Sequence, residues 1–328
     1  MRYQYSERVE SHRYRDDGLA NNIHLRIHKD SYKEVIGTLR AQNDWSRLVS
    51  SMTKYHGGLG DLFSFISVTI PECLPERLEV VAYANEYAFL YDDQMERLDL
   101  KDFREGRDDM LDIFGIHGGA SNLEDRRPEK TLQLQIFDEL MAIDQDRAIV
   151  TMQAWAKFID LASRTRVEPF NTLAAYLPSR TIDAGELFWF GMLTFAMALT
   201  IPAHELDVCM RLARPGYEAI SLINDIYSWP KERAEAEKAG QDYVFNAVWV
   251  VMKERKCDEQ KATEFCKNLA RQSIQDFSTS VNTPQVTELS CDSRTYLGAV
   301  RLSYVGNLVW SIYCPRYNIA VPVYHSKL

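Results

Sequence analysis

Asn224, Ser228 and Glu232 fall at four-residue intervals in Asn224-Asp-Ile-Tyr-Ser-Trp-Pro-Lys-Glu232. On a helix, that spacing lines an amide, a hydroxyl and a carboxylate along one face. Three oxygen donors in a row suit a hard cation such as Mg²⁺ and not zinc. Lys231 stands beside them, placed for an anion that the metal also holds, so a metal with one lysine points to a phosphate-bearing substrate. The competing reading is a solvated helical face, and the apolar lead-in 219–223 argues against it. Pro230 removes the hydrogen bond to the carbonyl of Ile226, so a kink or a helix end is expected near Lys231.

A second acidic cluster, Tyr91-Asp92-Asp93-Gln94-Met95-Glu96, follows the mostly apolar stretch 80–90. Asp92 and Glu96 share a helix face, with Asp93 about 100° round from Asp92. Carboxylates this close repel unless cations neutralise them. Two oxygen-rich clusters, each at the end of an apolar helix, read as a clamp for several Mg²⁺ ions and one diphosphate. Asp108-Asp109-x-x-Asp112 mimics the same pattern, but it lies in the polar stretch 101–112 and reads as a solvated face.

Asp92-Asp93-x-x-Glu96 together with Asn224-Asp225-x-x-Ser228-x-x-Lys231-Glu232 resembles the class I terpene cyclases. Arg180, in Tyr176-Leu-Pro-Ser-Arg180-Thr-Ile-Asp183, stands where that family places its diphosphate-sensing arginine, and Arg316-Tyr317 looks like its Arg-Tyr pair. The four motifs keep the family's order across nearly the whole chain. The details are most similar to the N-terminal cyclase domain of the fungal bifunctional terpene synthases, the fusicoccadiene and ophiobolin synthases. The resemblance implies an all-α bundle with a central active-site cavity and three Mg²⁺ ions held by Asp92, Asp93, Glu96, Asn224, Ser228 and Glu232. It implies diphosphate contacts from Arg180, Lys231, Arg316 and Tyr317. Asp183 matches the linker to a helix break that presents a backbone carbonyl, here that of Ala184 or Gly185. The implied reaction is ionisation and cyclisation of geranylgeranyl or geranylfarnesyl diphosphate to a di- or sesterterpene. A chain-lengthening prenyltransferase of the same fold is the first alternative, although such enzymes carry a second Asp-rich motif where this chain has Asn224. A non-catalytic helical binding protein is the other.

The elements that must position these groups read as helices over 31–43, 76–91, 131–163, 183–199, 205–213, 217–229, 242–256, 258–279 and 293–312. Prolines, among them Pro178, Pro202 and Pro215, are expected at their edges. No alternating strand run of useful length appears. Phe65, Phe89, Trp189 and Trp310 are candidates to line a cavity; ordinary core is the other reading for each. Trp310 and Phe89 are favoured because each lies a short step along its helix from a diphosphate motif.

Apolar residues make up 46% of the 328, enough for a large core, and the net charge is −9. No basic stripe is present, which argues against nucleic-acid binding. The six cysteines form no Cys-x-x-Cys pair, and with no signal segment they read as reduced thiols of a cytoplasmic protein. The uncharged run 187–203 is near the lower limit for a spanning helix, but Gly191, Pro202 and the adjoining Asp183 and Glu186 make a buried core helix the better reading. The sequence reads as one domain, 1–328, expected to be cut from a longer chain that continues into a prenyltransferase domain. On that reading Ser326-Lys327-Leu328 is an accidental match to a peroxisomal address.

Overall fold

The computed structural model describes residues 3–52, 55–95, 127–165 and 169–318. Glu96, the Asp108-Asp109-Asp112 cluster and Ser326-Lys327-Leu328 lie outside the described residues. The chain opens with a short antiparallel pair, β1 (Ser6–Arg8) and β2 (Arg26–His28). At three residues each, these strands are too short to show alternation in the sequence. They are held by a carboxylate: Glu72 accepts hydrogen bonds from the N–H groups of Gln4, Tyr5 and Ser6.

The helices that follow are α1 (Tyr32–Leu48), α2 (Phe65–Thr69), α3 (Leu78–Met95), α4 (Pro128–Ile143), α5 (Gln145–Ala162), α6 (Leu173–Asp183), α7 (Glu186–Ala196), α8 (Ala203–Lys238), α9 (Ala247–Arg255), α10 (Glu259–Ser280), α11 (Pro284–Glu288) and α12 (Cys291–Tyr313). Helix α1 packs on α3, α5 on α7, and α8 on α10. Helix α12 lies in the middle, against α2, α7 and α8. Tyr296, Val300, Tyr304, Leu308, Val309 and Trp310 bury it on more than one face, the pattern of a helix that is apolar all round.

Helix α6 is not among the helices read in the sequence, and Pro178, expected at a helix edge, lies inside it; among the boundaries that differ, three matter for the site. The expected helix 131–163 is two helices, because Asp144 is the N-cap of α5, its side chain accepting from the N–H of Arg147. Although burial opposes it, hydrogen bonds from Arg77 and Arg147 keep the Asp144 carboxyl below the usual carboxylate range. The expected helix 183–199 starts later, because Gly185 takes φ +87° between α6 and α7, a conformation that L side chains rarely adopt. The resulting α7 has 11 residues, and among the described residues no helix is long and apolar enough to cross a membrane.

The third difference is α8, which runs unbroken for 36 residues through both Pro215 and Pro230. Pro230 therefore does not end the helix before Lys231 and Glu232. A side brace spans the proline: Asn246 Nδ2 donates to Asp225 O and to Glu232 Oε2, each at 2.9 Å.

Candidate active site

Helices α8 and α6 meet at one buried carboxylate. Asp225 has no exposed surface. Its Oδ1 accepts from Arg180 Nε at 2.8 Å, and its Oδ2 accepts from Tyr176 OH at 2.7 Å and from the Ala247 N–H at 2.9 Å. Arg180 also donates to Asp183 Oδ2 and Asn224 Oδ1, both at 2.7 Å. This planar fork on three acceptors fixes the guanidinium far better than a lysine could. Asp225 lies inside the motif quoted above, yet its organising role was not assigned from sequence, because the partners come from α6 and α9. Asn246 was missed too; its signal was a capping amide just ahead of an apolar run, and it does cap α9 through Val248 N–H.

Asn224, Ser228 and Glu232 rise along one face of α8 as their spacing requires. Asn224 bridges the site: its Oδ1 accepts from Arg180 and its Nδ2 donates to Tyr317 OH at 2.8 Å. Ser228 Oγ is buried with no hydrogen-bond partner. It is near enough to favour the ionised form of Glu232 but falls short of hydrogen-bond geometry. Burial, reinforced by the charge of Asp225, pushes the Glu232 carboxyl up against the opposing pull of Arg180 and Asn246. A buried hydroxyl oxygen without a partner, next to a carboxylate that burial disfavours, is what a cation would relieve, so these donors fit a hard divalent ion. Lys231 Nζ lies 3.9 Å from Glu235 Oε1, one turn further along α8.

The second half of the site joins α3 to the end of α12. Asn318 Nδ2 donates to the carbonyls of Ser311, Ile312 and Cys314, closing the C-terminus of α12. The turn so formed carries Arg316 and Tyr317. Arg316 makes a two-pronged ion pair with Asp93, Nη1 to Oδ2 at 3.1 Å and Nη2 to Oδ1, and stands 5.1 Å from the Phe89 ring centroid. The structure thus gives the Asp93 carboxylate to an arginine and leaves Asp92, one residue earlier, on the exposed side.

Between the two halves lies an aromatic cluster. Phe65, Phe89, Trp189 and Trp310 come from α2, α3, α7 and α12. Phe65 meets the other three rings edge-on at centroid distances of 4.8–5.5 Å, and Phe89 stacks on Trp310 at 5.8 Å. Trp310 also meets Tyr317 edge-on at 5.4 Å. All four aromatic candidates are therefore brought together, directly beneath the Arg316-Tyr317 turn. Phe65, Phe89 and Trp189 are only partly buried, which ordinary core residues at the centre of a bundle would not be.

The all-α bundle is that of the class I terpene cyclases, and the solved structures agree. Germacradien-4-ol synthase from Streptomyces citricolor superposes with a TM-score of 0.69 at 16% identity, over 89% of this chain and 99% of that one. Aristolochene synthase from Penicillium roqueforti does so at 0.60 and 21%, over 76% and 84%. The profile of "Terpene synthase family 2, C-terminal metal binding" matches residues 83–276, and the chain belongs to that family. It is 42% identical to fusicoccadiene synthase of Phomopsis amygdali, over all of this chain and 47% of the relative. It is 38% identical to a bifunctional sesterterpene synthase of Aspergillus aculeatus (97% and 45%) and 37% identical to an ophiobolin F synthase of Cochliobolus heterostrophus (96% and 43%). The chain spans less than half the length of each of these relatives.

Proposed function

We propose that this chain ionises a linear isoprenoid diphosphate, geranylgeranyl or geranylfarnesyl diphosphate, and folds the resulting cation into a polycyclic di- or sesterterpene. The observation that carries the reading is the aromatic cluster set under the Arg316-Tyr317 turn, which Tyr317 and Asn224 join to Arg180. Arg180 and Arg316 grip the diphosphate, and Tyr317 adds a hydroxyl, so that charge developing on the leaving group is met by donors already in place. Asp92, Asn224, Ser228 and Glu232, with Glu96, would hold Mg²⁺, three ions in all. When bound, the metal supplies positive charge at the diphosphate oxygens. Lys231 is the further cation on the α8 side.

Asp183 orients Arg180 at the α6–α7 break. The carbonyl of Gly185 is engaged by the Trp189 N–H at 2.8 Å, which favours that of Ala184 as the one turned to the substrate. The rings of Phe65, Phe89, Trp189 and Trp310 exclude water from the cation and offer it their faces, worth roughly 0.5–2 kcal/mol each. No side-chain nucleophile is needed. In a longer chain, a prenyltransferase domain would make the diphosphate that this domain consumes, in keeping with the bifunctional relatives.

The test is diphosphate release with geranylgeranyl, geranylfarnesyl and farnesyl diphosphates, with and without Mg²⁺, and mass spectrometry of the hydrocarbons. Cyclic products that disappear in EDTA are expected. Full activity in EDTA, or longer diphosphates formed when isopentenyl diphosphate is added, would overturn the reading.

A further inference from the structure

The segment 55–60 belongs to no helix or strand, yet it keeps several parts of the site in register. The carbonyl of His56 accepts from Arg316 Nη1 at 3.2 Å. The carbonyl of Gly58 accepts from Trp310 Nε1 and from the Phe65 N–H, each at 2.9 Å. One anion-binding arginine and two cluster aromatics therefore take their placement from two nearby carbonyls.

What fixes that backbone is Glu86 on α3. It has no exposed surface, although it is the one charge in the mostly apolar stretch 80–90. Glu86 Oε2 accepts from the Gly58 N–H at 2.9 Å, and Oε1 accepts from Gln42 Nε2 of α1 at 2.6 Å. The segment is seated directly on the carboxylate: a methyl group added at Gly57 would come within 1.9 Å of Glu86 Oε1. At Gly58 an added methyl would only touch Glu86 Oε2, Phe65 and Phe89, at 3.4, 3.4 and 3.5 Å. A buried amide N–H needs an acceptor, and an apolar residue at 86 would leave that of Gly58 without one and take the partner of the half-buried Gln42 amide.

We propose that Glu86 is a positioning residue: it anchors the 56–58 backbone and, through it, sets the indole of Trp310, the ring of Phe65 and the guanidinium of Arg316 for product control. The inference rests on the reading of the site as a cyclase. Arg180, Asn224 and Tyr317 are tied to α6 and α8 and not to this segment, and Arg316 keeps its two-pronged pair with Asp93, so ionisation should survive its loosening better than product fidelity does.

The experiment compares the chain as given with Glu86→Ala, Glu86→Gln and Gly57→Ala. Four quantities are measured: diphosphate release with Mg²⁺ and geranylgeranyl diphosphate, hydrocarbon distribution, thermal melting, and the indole N–H resonance of Trp310, assigned with Trp310→Phe. Glu86→Ala is expected to keep release within about tenfold while the share of the main product falls by about half or more, since small misplacements act on later steps. Its Trp310 indole resonance should move. Glu86→Gln still offers Gly58 an acceptor oxygen and should restore both the product pattern and the resonance. Gly57→Ala pushes the same backbone off Glu86 and should reproduce Glu86→Ala; if Glu86→Ala does not fold, the other two variants decide. A folded Glu86→Ala or Gly57→Ala with unchanged products and an unmoved resonance overturns the proposal, as does Glu86→Gln shifting both as far as alanine does. If the unaltered chain released no diphosphate from any substrate, the cyclase reading would fail, and the Trp310 resonance would still decide whether Glu86 positions the indole.

Discussion

At the scale of single residues, the two arginines do different work. Arg180 is held by Asp225, Asp183 and Asn224, and Arg316 by Asp93 and a backbone carbonyl; each is 7% exposed. Lysine cannot reproduce the two-pronged pair with Asp93. Arg316→Lys should therefore slow diphosphate release by about 10²-fold or more. It should also lower stability by about 1–3 kcal/mol, because a buried carboxylate loses part of its partner. Release kinetics and thermal melting on one preparation check both. Trp310 is 1% exposed and donates to Gly58 O as well as stacking. Trp310→Ala should cost about 3–5 kcal/mol and, if folded, give less cyclised products; an unchanged mixture from a folded variant would rule out its part in guiding the cation.

Among the elements, α2 is the most unusual. It has five residues, carries Phe65, and is capped by Glu34 of α1, whose two oxygens accept from the Ile66 and Ser67 N–H groups at 2.7 Å. Burial raises the Glu34 carboxyl from an ordinary value of 4.5 to about 7, against the pull of those N–H donors. Because the folded value lies above the unfolded one, Glu34's contribution to stability is fully present below pH 4.5 and is lost as pH rises through about 7. The gap corresponds to at most ~3 kcal/mol. Denaturant unfolding from pH 4.5 to 8 should show this decline, and Glu34→Gln should flatten it. An identical slope in the variant would place the titration elsewhere. Longer elements behave more simply: α8 runs through two prolines, and Asn246 ties Asp225 O to Glu232 across the second of them.

For the whole molecule, the site is a junction of helices from both ends of the chain, so a ligand bound there should stabilise the fold. Inorganic diphosphate with Mg²⁺ at about 100 times its dissociation constant should add ~2.7 kcal/mol, seen as a rise of several degrees in Tm. Mg²⁺ or diphosphate alone should give less, and EDTA should abolish the effect. Asn224→Ala removes a partner from both Arg180 and Tyr317; its Tm rise should shrink and its turnover should fall by about 10²–10³-fold. A full Tm rise in that variant would exclude Asn224 from the site.

The sequence by itself determined which faces carry chemistry. Four-residue spacing places Asn224, Ser228 and Glu232 on one side of α8 whatever surrounds it, and apolar periodicity marks most of the helices that surround them. The oxygen donors beside Lys231 point to a metal with a phosphate-bearing ligand in the same local way. Boundaries were less legible: the break at Asp144 rests on a single capping side chain, and the continuity of α8 rests on bonds from another helix. Only the tertiary structure decided the pairings. Arg316 meets Asp93 across 223 positions, Trp310 meets Gly58 across 252, and Arg180 meets Asp225 across 45. Glu86 looks like a stray charge in an apolar stretch until the 55–60 backbone is laid on it. Local periodicity is written into neighbouring residues, whereas the partner of a buried polar group is chosen by which distant segment the packed core brings within 3 Å.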